Sequence, residues 1–337
     1  MDTRKARVLS AVIDDYIASA EPVASRTLAR RHAFGLSAAT LRNELADLEE
    51  EGYLDKPHTS AGRVPSDKGY RYYVDRLLVR PALDPEAVRR IRETYRARVR
   101  EVEWFLHQTA KVVSAATRYP SLVVGPAWGA AHLKRLSFVS LAPGTAVVVV
   151  ETDSGWVESR VVSVPGELDA AQLERIARLL SEELGGVPLA EIASQRLGQL
   201  VARLGRYAAF VEELLEWIQA AEADEHHVTV EGALRLLDQP EFHNPERVRY
   251  VWDRLAEDAV LRELFDGTRE DGVAVRIGRE MPVPDLADLS VVSVSYRLGG
   301  RAVGQVAVVG PRRMEYGRVM VVLEEVAEAL SQALNWI

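Results

Sequence analysis

Residues 36–65 constrain the fold more than any other stretch, because the spacing of apolar residues switches there from a helical to an alternating period. Leu41, Leu45 and Leu48 follow Ser37 at helical spacing and form one apolar stripe. The Ser37 hydroxyl is placed to accept from an orphan N–H of the first turn, and Gly52 is a natural stop. Directly afterwards Tyr53-Leu54-Asp55-Lys56-Pro57 alternates as a strand, His58-Thr59-Ser60-Ala61-Gly62 makes a polar tip, and Arg63-Val64-Pro65 returns. Upstream, Val8, Leu9, Val12, Ile13, Tyr16 and Ile17 mark a first helix stopped at Glu21-Pro22. A second helix is expected from Ser25 to His32 with Leu28 and Ala29 inward, and Gly35 makes the turn. A fourth begins near Ser66 with Tyr70, Val74, Leu77 and Leu78 on its apolar face. Three helices and then a hairpin is the order of a winged helix-turn-helix, predicted over residues 1–80.

The face opposite the leucine stripe carries Ser37, Ala38, Ala39, Thr40, Arg42 and Asn43 near its start, with Glu49, Glu50 and Glu51 at the far end. A helix entering the major groove by its N-terminus wants this polarity: small and amide side chains reach base edges, and the acidic end stays away from phosphate. Asn can bond an adenine edge in bidentate fashion, and Arg can do the same to guanine or hold a phosphate. Any exposed helix carries polar residues, so this face alone is weak. The hairpin strengthens it, because Lys56, His58, Thr59, Ser60 and Arg63 are the types that contact phosphate or the minor groove. Tyr72 and Tyr73 could donate to phosphate, but helical tyrosines more often pack.

Three runs carry a specific resemblance: Tyr16-Ile17 with Glu21-Pro22-Val23, Leu36 through Glu44, and Pro57 through Asp75. They resemble the HrcA family, heat-inducible repressors of bacterial chaperone operons. Further matches are Gly232 with Leu236-Leu237 and Pro240-Glu241-Phe242, Val275 through Glu280, and Gly304 through Tyr316. The resemblance therefore spans the chain. It implies a GAF-like domain interrupted by an inserted dimerisation domain, an inverted-repeat operator (CIRCE) upstream of groE and dnaK operons, and the chaperonin GroEL as a supporting partner. The family pattern has asparagine where Arg235 and Met281 stand and threonine where Arg312 stands. None of these departures lies in the DNA-reading segment.

Charge agrees mildly. The net charge is −8, yet residues 1–80 hold 13 Lys and Arg against 12 Asp and Glu, leaving 29 of the 42 bases and 38 of the 50 acids elsewhere. A near-neutral head on an acidic body has the sign expected of a DNA binder.

Beyond Pro81 and Pro85 a long helix is expected from Glu86 to Arg118, with Tyr95, Val102, Thr109 and Ala116 at heptad spacing. Strands near Lys134–Leu141, Thr145–Glu151 and Trp156–Val164 read as an antiparallel meander. Helices at Ala170–Glu183 and Ala190–Ala221, a strand at Val228–Glu231 and two helices between Pro245 and Asp266 follow. Strands near Val273–Ile277, Val291–Tyr296 and Ala302–Val309 and a final helix containing Tyr316, Leu323 and Leu330 complete the chain. The expected class is α+β with antiparallel sheets. The expected division is 1–80 for the winged helix, 81–128 with 196–337 for the GAF-like domain, and 129–195 for the inserted dimerisation domain.

The absence of cysteine excludes disulfides and thiolate chemistry. No run approaches the roughly 18 apolar residues of a membrane span, so a cytoplasmic protein is expected. His226-His227 beside Glu222, Glu225 and Glu231 could suggest a metal, but HExxH spacing is missing. No phosphate-binding loop or nucleophile signature appears, and a non-enzyme without cofactor is expected. Two rivals remain open: a repressor whose GAF-like domain senses a small molecule, and a winged helix used for protein docking.

Overall fold

A computed structural model describes the chain except residues 59–60, 95–101, 126–130, 154, 156, 193–204, 221–227, 256, 266–271 and 336–337. Its N-terminal unit is built from α1 (Thr3–Ser19), α2 (Ser25–Arg31) and α3 (Ala38–Glu50), followed by an antiparallel ribbon of β1 (Leu54–Asp55) and β2 (Val64–Pro65). Asp2 caps α1. That helix ends earlier than Glu21-Pro22 suggests: Ala20 turns left-handed, φ +57°, and its N–H returns to the Tyr16 carbonyl. Val8, Leu9, Val12, Ile13, Leu28, Leu41, Leu45 and Leu48 are all buried, so the stripes read from spacing meet in one small core. Ser66 then caps α4 (Asp67–Tyr72), which continues as a wider π turn over Tyr73–Leu77.

Next come α5 (Pro85–Thr94) and α6 (Val102–Thr117). The single helix expected over 86–118 is thus described as two pieces, and Tyr95 of the heptad lies outside the described residues. A strand that the spacing did not announce follows, β3 (Ser121–Val124), buried at all four positions. It sits inside a five-stranded antiparallel sheet of order β7-β3-β10-β9-β8, with β7 at Val228–Glu231, β8 at Val273–Ile277, β9 at Leu289–Leu298 and β10 at Arg301–Pro311. Gly299 and Gly300, both at positive φ, make the β9–β10 turn. Alternation decides the two faces. Val292, Val294, Tyr296, Val306 and Val308 pack with α6 and the C-terminal helix. Leu122, Val124, Val291, Ala307 and Val309 pack on the other side with two helices at Pro245–Leu255 and Asp258–Phe265.

The chain leaves this sheet after β3 and returns at β7. In between it forms a separate three-stranded meander, β4 (Leu133–Ala142), β5 (Thr145–Thr152) and β6 (Val157–Ser163), and α7 (Ala170–Leu184), opened by an Asp169–Gln172 capping box. Ala146, Val148 and Val150 face inward, while Val139, Leu141, Val157 and Val161 stand exposed on the opposite side. Of the helix expected over 190–221, a short turn at Leu189–Glu191 and α8 (Ala208–Ala220) are described. Gly205 precedes α8 at φ +56°, which interrupts helical backbone. Phe210 of α8 stacks on Phe138 of β4 at 5.9 Å and Arg160 of β6 lies over Trp217, so this helix belongs to the meander's packing, beyond the expected boundary at 195. The remaining helices are α9 (Pro245–Leu255), α10 (Asp258–Phe265) and α11 (Tyr316–Leu334). No described helix is long and apolar enough to cross a membrane.

Candidate nucleic-acid interface

Ser37 sets the start of α3: its Oγ accepts the Thr40 N–H at 3.1 Å and lies 3.0 Å from Thr40 Oγ1. With Leu41, Leu45 and Leu48 buried, helical geometry leaves Ala39, Arg42, Asn43 and Ala46 on one exposed face. Ala38 and Thr40 are half-buried, and the Thr40 hydroxyl is occupied with the cap. Ala46 was not singled out from the sequence, although its helical spacing from Ala39 and Asn43 marks the same face.

The ribbon is tied down on both sides. Leu54 pairs with Pro65 and Asp55 with Val64. The Val23 N–H donates to the Arg63 carbonyl and the Arg63 N–H to the Val23 carbonyl, each at 2.9 Å, so Val23 acts as a third strand. Gly62 permits this approach, since a Cβ there would lie 2.5 Å from the Val23 carbonyl oxygen. His58 is exposed at the tip, and Thr59 and Ser60 lie outside the described residues. Between α2, α3 and the ribbon runs a groove of about 300 Å³ whose walls include Ser25, Arg42, Lys56 and Arg63.

Charge pairing sorts the cations of this unit. Arg4 faces Glu44 at 3.6 Å, and Arg31 faces Asp15 at 3.4 Å. Lys5 meets Glu51 at 2.6 Å and Asp47 at 3.2 Å, and its hydrogen bonds to these carboxylates hold the ammonium well above the usual lysine range. Arg63 is also committed: its guanidinium is 2.6 Å from Glu49 and its side chain is 15% exposed. Any phosphate contact by Arg63 therefore competes with Glu49. Arg42 and Lys56, by contrast, have no acidic partner among the described residues, and neither do Arg26 and Arg30 on α2. Those last two escaped the sequence reading, although two arginines four apart on the helix before α3 were a usable signal.

Tyr72 and Tyr73 pack, as expected. Tyr72 meets Tyr53 edge-on at 5.5 Å, and Tyr73 is buried with its hydroxyl donating to Asp14 at 2.7 Å. Burial, then that bond, pushes the Tyr73 phenol well up. Among the departures, Met281 is buried in the second core, and Arg312 reaches back to Asp67 in the first turn of α4 at 2.6 Å. The Arg312 departure thus bears on the N-terminal unit after all. His226 and His227 lie outside the described residues, and among those described no group of His, Asp and Glu is placed to hold a metal.

Residues 103–320 match the family model described as the HrcA protein C-terminal domain. A heat-inducible transcription repressor HrcA of Symbiobacterium thermophilum is 41% identical over 98% of this chain and 98% of its own length. The HrcA of Pelotomaculum thermopropionicum is 40% identical over 100% of this chain and 98% of its own length. A crystal structure described only as that of a hypothetical protein superposes with a TM-score of 0.68 at 23% identity, covering 100% of this chain and 99% of that one, which shows a shared fold. On the family model and these full-length similarities, the chain belongs to the HrcA family of heat-inducible transcription repressors.

Proposed function

We propose that residues 1–80 are a winged helix-turn-helix that binds an inverted-repeat operator of the CIRCE type upstream of groE and dnaK operons, as a homodimer supported by GroEL. The observation that carries the reading is the sorting of charge on the N-terminal unit. Acids neutralise Arg4, Arg31 and Arg63, while Arg42 beside Asn43 on the open face of α3, Lys56 on the ribbon, and Arg26 and Arg30 on α2 are left to meet phosphates and bases. Ala39 and Ala46 flank them without bulk, which lets the helix sit deep in a major groove. A single such unit reads a handful of base pairs, and a twofold dimer doubles the site and requires an inverted repeat. Occupying that repeat beside a promoter excludes polymerase, and no catalytic chemistry is needed.

The five-stranded sheet with α5, α6 and α9–α11 is the GAF-like domain of this reading, and residues 129–195, joined by α8, are the inserted dimerisation domain. Val139, Leu141, Val157 and Val161 support that role, because an apolar sheet face of this kind is stabilised by a second copy. GroEL rests on the family resemblance alone. The small-molecule reading is weaker, since the sheet face opposite α11 is filled by Leu122, Val124, Phe242, Val251 and Leu264.

Footprinting on promoter DNA tests the proposal. Protection of both arms of an inverted repeat, strengthened by purified GroEL, is expected. Protection of one arm only would remove the dimer, and protection indifferent to GroEL would remove the chaperonin. A Val161→Asp chain is expected to sediment as a monomer, and an unchanged dimer would clear that face of the interface.

A further inference from the structure

The N-terminal unit meets the body along one face of α4. Asp67 and Arg71 stand four residues apart and share that face. Asp67 accepts from the Arg312 guanidinium at 2.6 Å and from the Arg279 backbone N–H at 3.2 Å. Arg71 grips Glu280 in bidentate fashion, with Nε 2.8 Å from Oε1, and donates Nη2 to the Val275 carbonyl at 2.6 Å. Glu280 is itself fixed by the Ile277 N–H at 2.9 Å. The receiving turn fits Asp67 closely: Gly278 has φ +55°, and a Cβ there would lie 2.4 Å from Asp67 Oδ1. Alongside, Arg313, held by Glu241 at 2.7 Å, donates to the Ile17 carbonyl in the last turn of α1 at 3.2 Å.

Between these polar ties lies Tyr70, 1% exposed, its ring 6.1 Å from that of Tyr316. The Tyr70 hydroxyl is buried with no hydrogen-bond partner among the described residues. An unpaired buried hydroxyl works against the closed contact, and opening the contact would rehydrate it. The contact thus joins partly exposed ion pairs to a polar group that favours water.

We propose that this contact is a releasable catch that sets the direction of the DNA-reading unit on the body, and that its closed state is the operator-binding state. The exposed residues Ala39, Arg42, Asn43 and Ala46 take no part in it, so DNA and body can be held at once. With both catches closed, a dimer presents two reading helices at one separation. With them open, each unit hangs on residues 78–84, and the second half-site is engaged at a lower effective concentration. The link to operator binding rests on the DNA-binding reading above; the catch itself does not.

The chain has no cysteine, so introduced pairs label cleanly. Ala18→Cys on α1 and Ala259→Cys on α10, both exposed positions, would carry spin labels in the full chain diluted with unlabelled protein. One narrow distance distribution is expected, broadened by Glu280→Ala, by Arg312→Ala, and most by the two together. Tyr70→Phe should raise the temperature at which broadening sets in. A distribution that stays narrow in the double variant overturns the catch. On DNA the same double variant, altered only in the body, should bind a full inverted repeat about tenfold more weakly and a single half-site unchanged. Equal loss on both duplexes, or loss on neither, overturns the role given to the closed state. If the unaltered chain binds neither duplex, the DNA reading fails while the distances still decide the catch.

Discussion

Glu49 guards Arg63, and replacing it by glutamine isolates what that pairing does to DNA binding. The guanidinium–carboxylate separation is 2.6 Å, with the Arg63 side chain 15% and the Glu49 side chain 35% exposed. A charge-assisted bond of this kind contributes about 1.5–3 kcal/mol, and Glu49's exposure argues for the lower end. If Arg63 leaves Glu49 to take a phosphate, that contribution is lost on binding. Glutamine keeps the shape and an uncharged acceptor, so the loss shrinks by about 1 kcal/mol and half-site affinity rises about fivefold. Removing the carboxylate also takes one negative charge away from the DNA phosphates, which steepens the dependence of log K on log salt by up to about 0.9. Fluorescence anisotropy of Glu49→Gln on a half-site duplex, between about 50 and 200 mM salt, reads both quantities. Weaker binding with an unchanged slope would instead mean that the pair stays closed on DNA and holds the ribbon in its reading position.

Three further outcomes are expected. Arg42→Ala and Asn43→Ala should each cost about 1–3 kcal/mol of operator affinity and relax base preference at one position; equal loss on random duplex would make them phosphate contacts instead. Ser37→Ala removes the Oγ that accepts the Thr40 N–H and should lower stability by about 1 kcal/mol in urea denaturation without DNA, and an unchanged midpoint would show the cap to be idle. Burial pushes the phenols of Tyr70, Tyr73, Tyr296 and Tyr316 above their ordinary value near 10. Since the folded state holds these protons more tightly, their contribution is complete below about pH 10 and is lost as pH rises through the folded values. Urea midpoints should therefore fall between pH 8.5 and 10.5, less steeply in Tyr296→Phe, and equal midpoints at both values would contradict the assignment.

Elements whose stability comes from one buried face were readable from spacing. The leucine stripe of α3, the meander and α11 are such cases, because period and burial are the same signal there. β3 was not readable: its four residues, Ser121–Val124, are buried on both faces between Pro120 and Gly125 and so show no alternation. The helix expected over 190–221 failed for the opposite reason. Its apolar spacing runs on through Gly205, and only the backbone shows that this residue turns left-handed. At the candidate interface, residue types and the Ser37 cap were legible, whereas pairing was not. Arg63 and Glu49 are separated by a helix end and the ribbon, and nothing in their order says that one neutralises the other. Contacts such as Arg71 with Glu280, 209 residues apart, lie further still beyond what local pattern can carry.

In the proposed complex the open face of α3 and the ribbon read an inverted repeat. Anisotropy titration of the purified chain onto a labelled inverted-repeat duplex and a scrambled duplex, at two salt concentrations, tests this most directly. Tight binding to the repeat that weakens steeply with salt is expected, with the scrambled duplex bound at least a thousandfold less well, on the order of the usual specific-to-nonspecific ratio. Equal affinity for the two duplexes, or binding to neither by a confirmed dimer in the presence of GroEL, would contradict it.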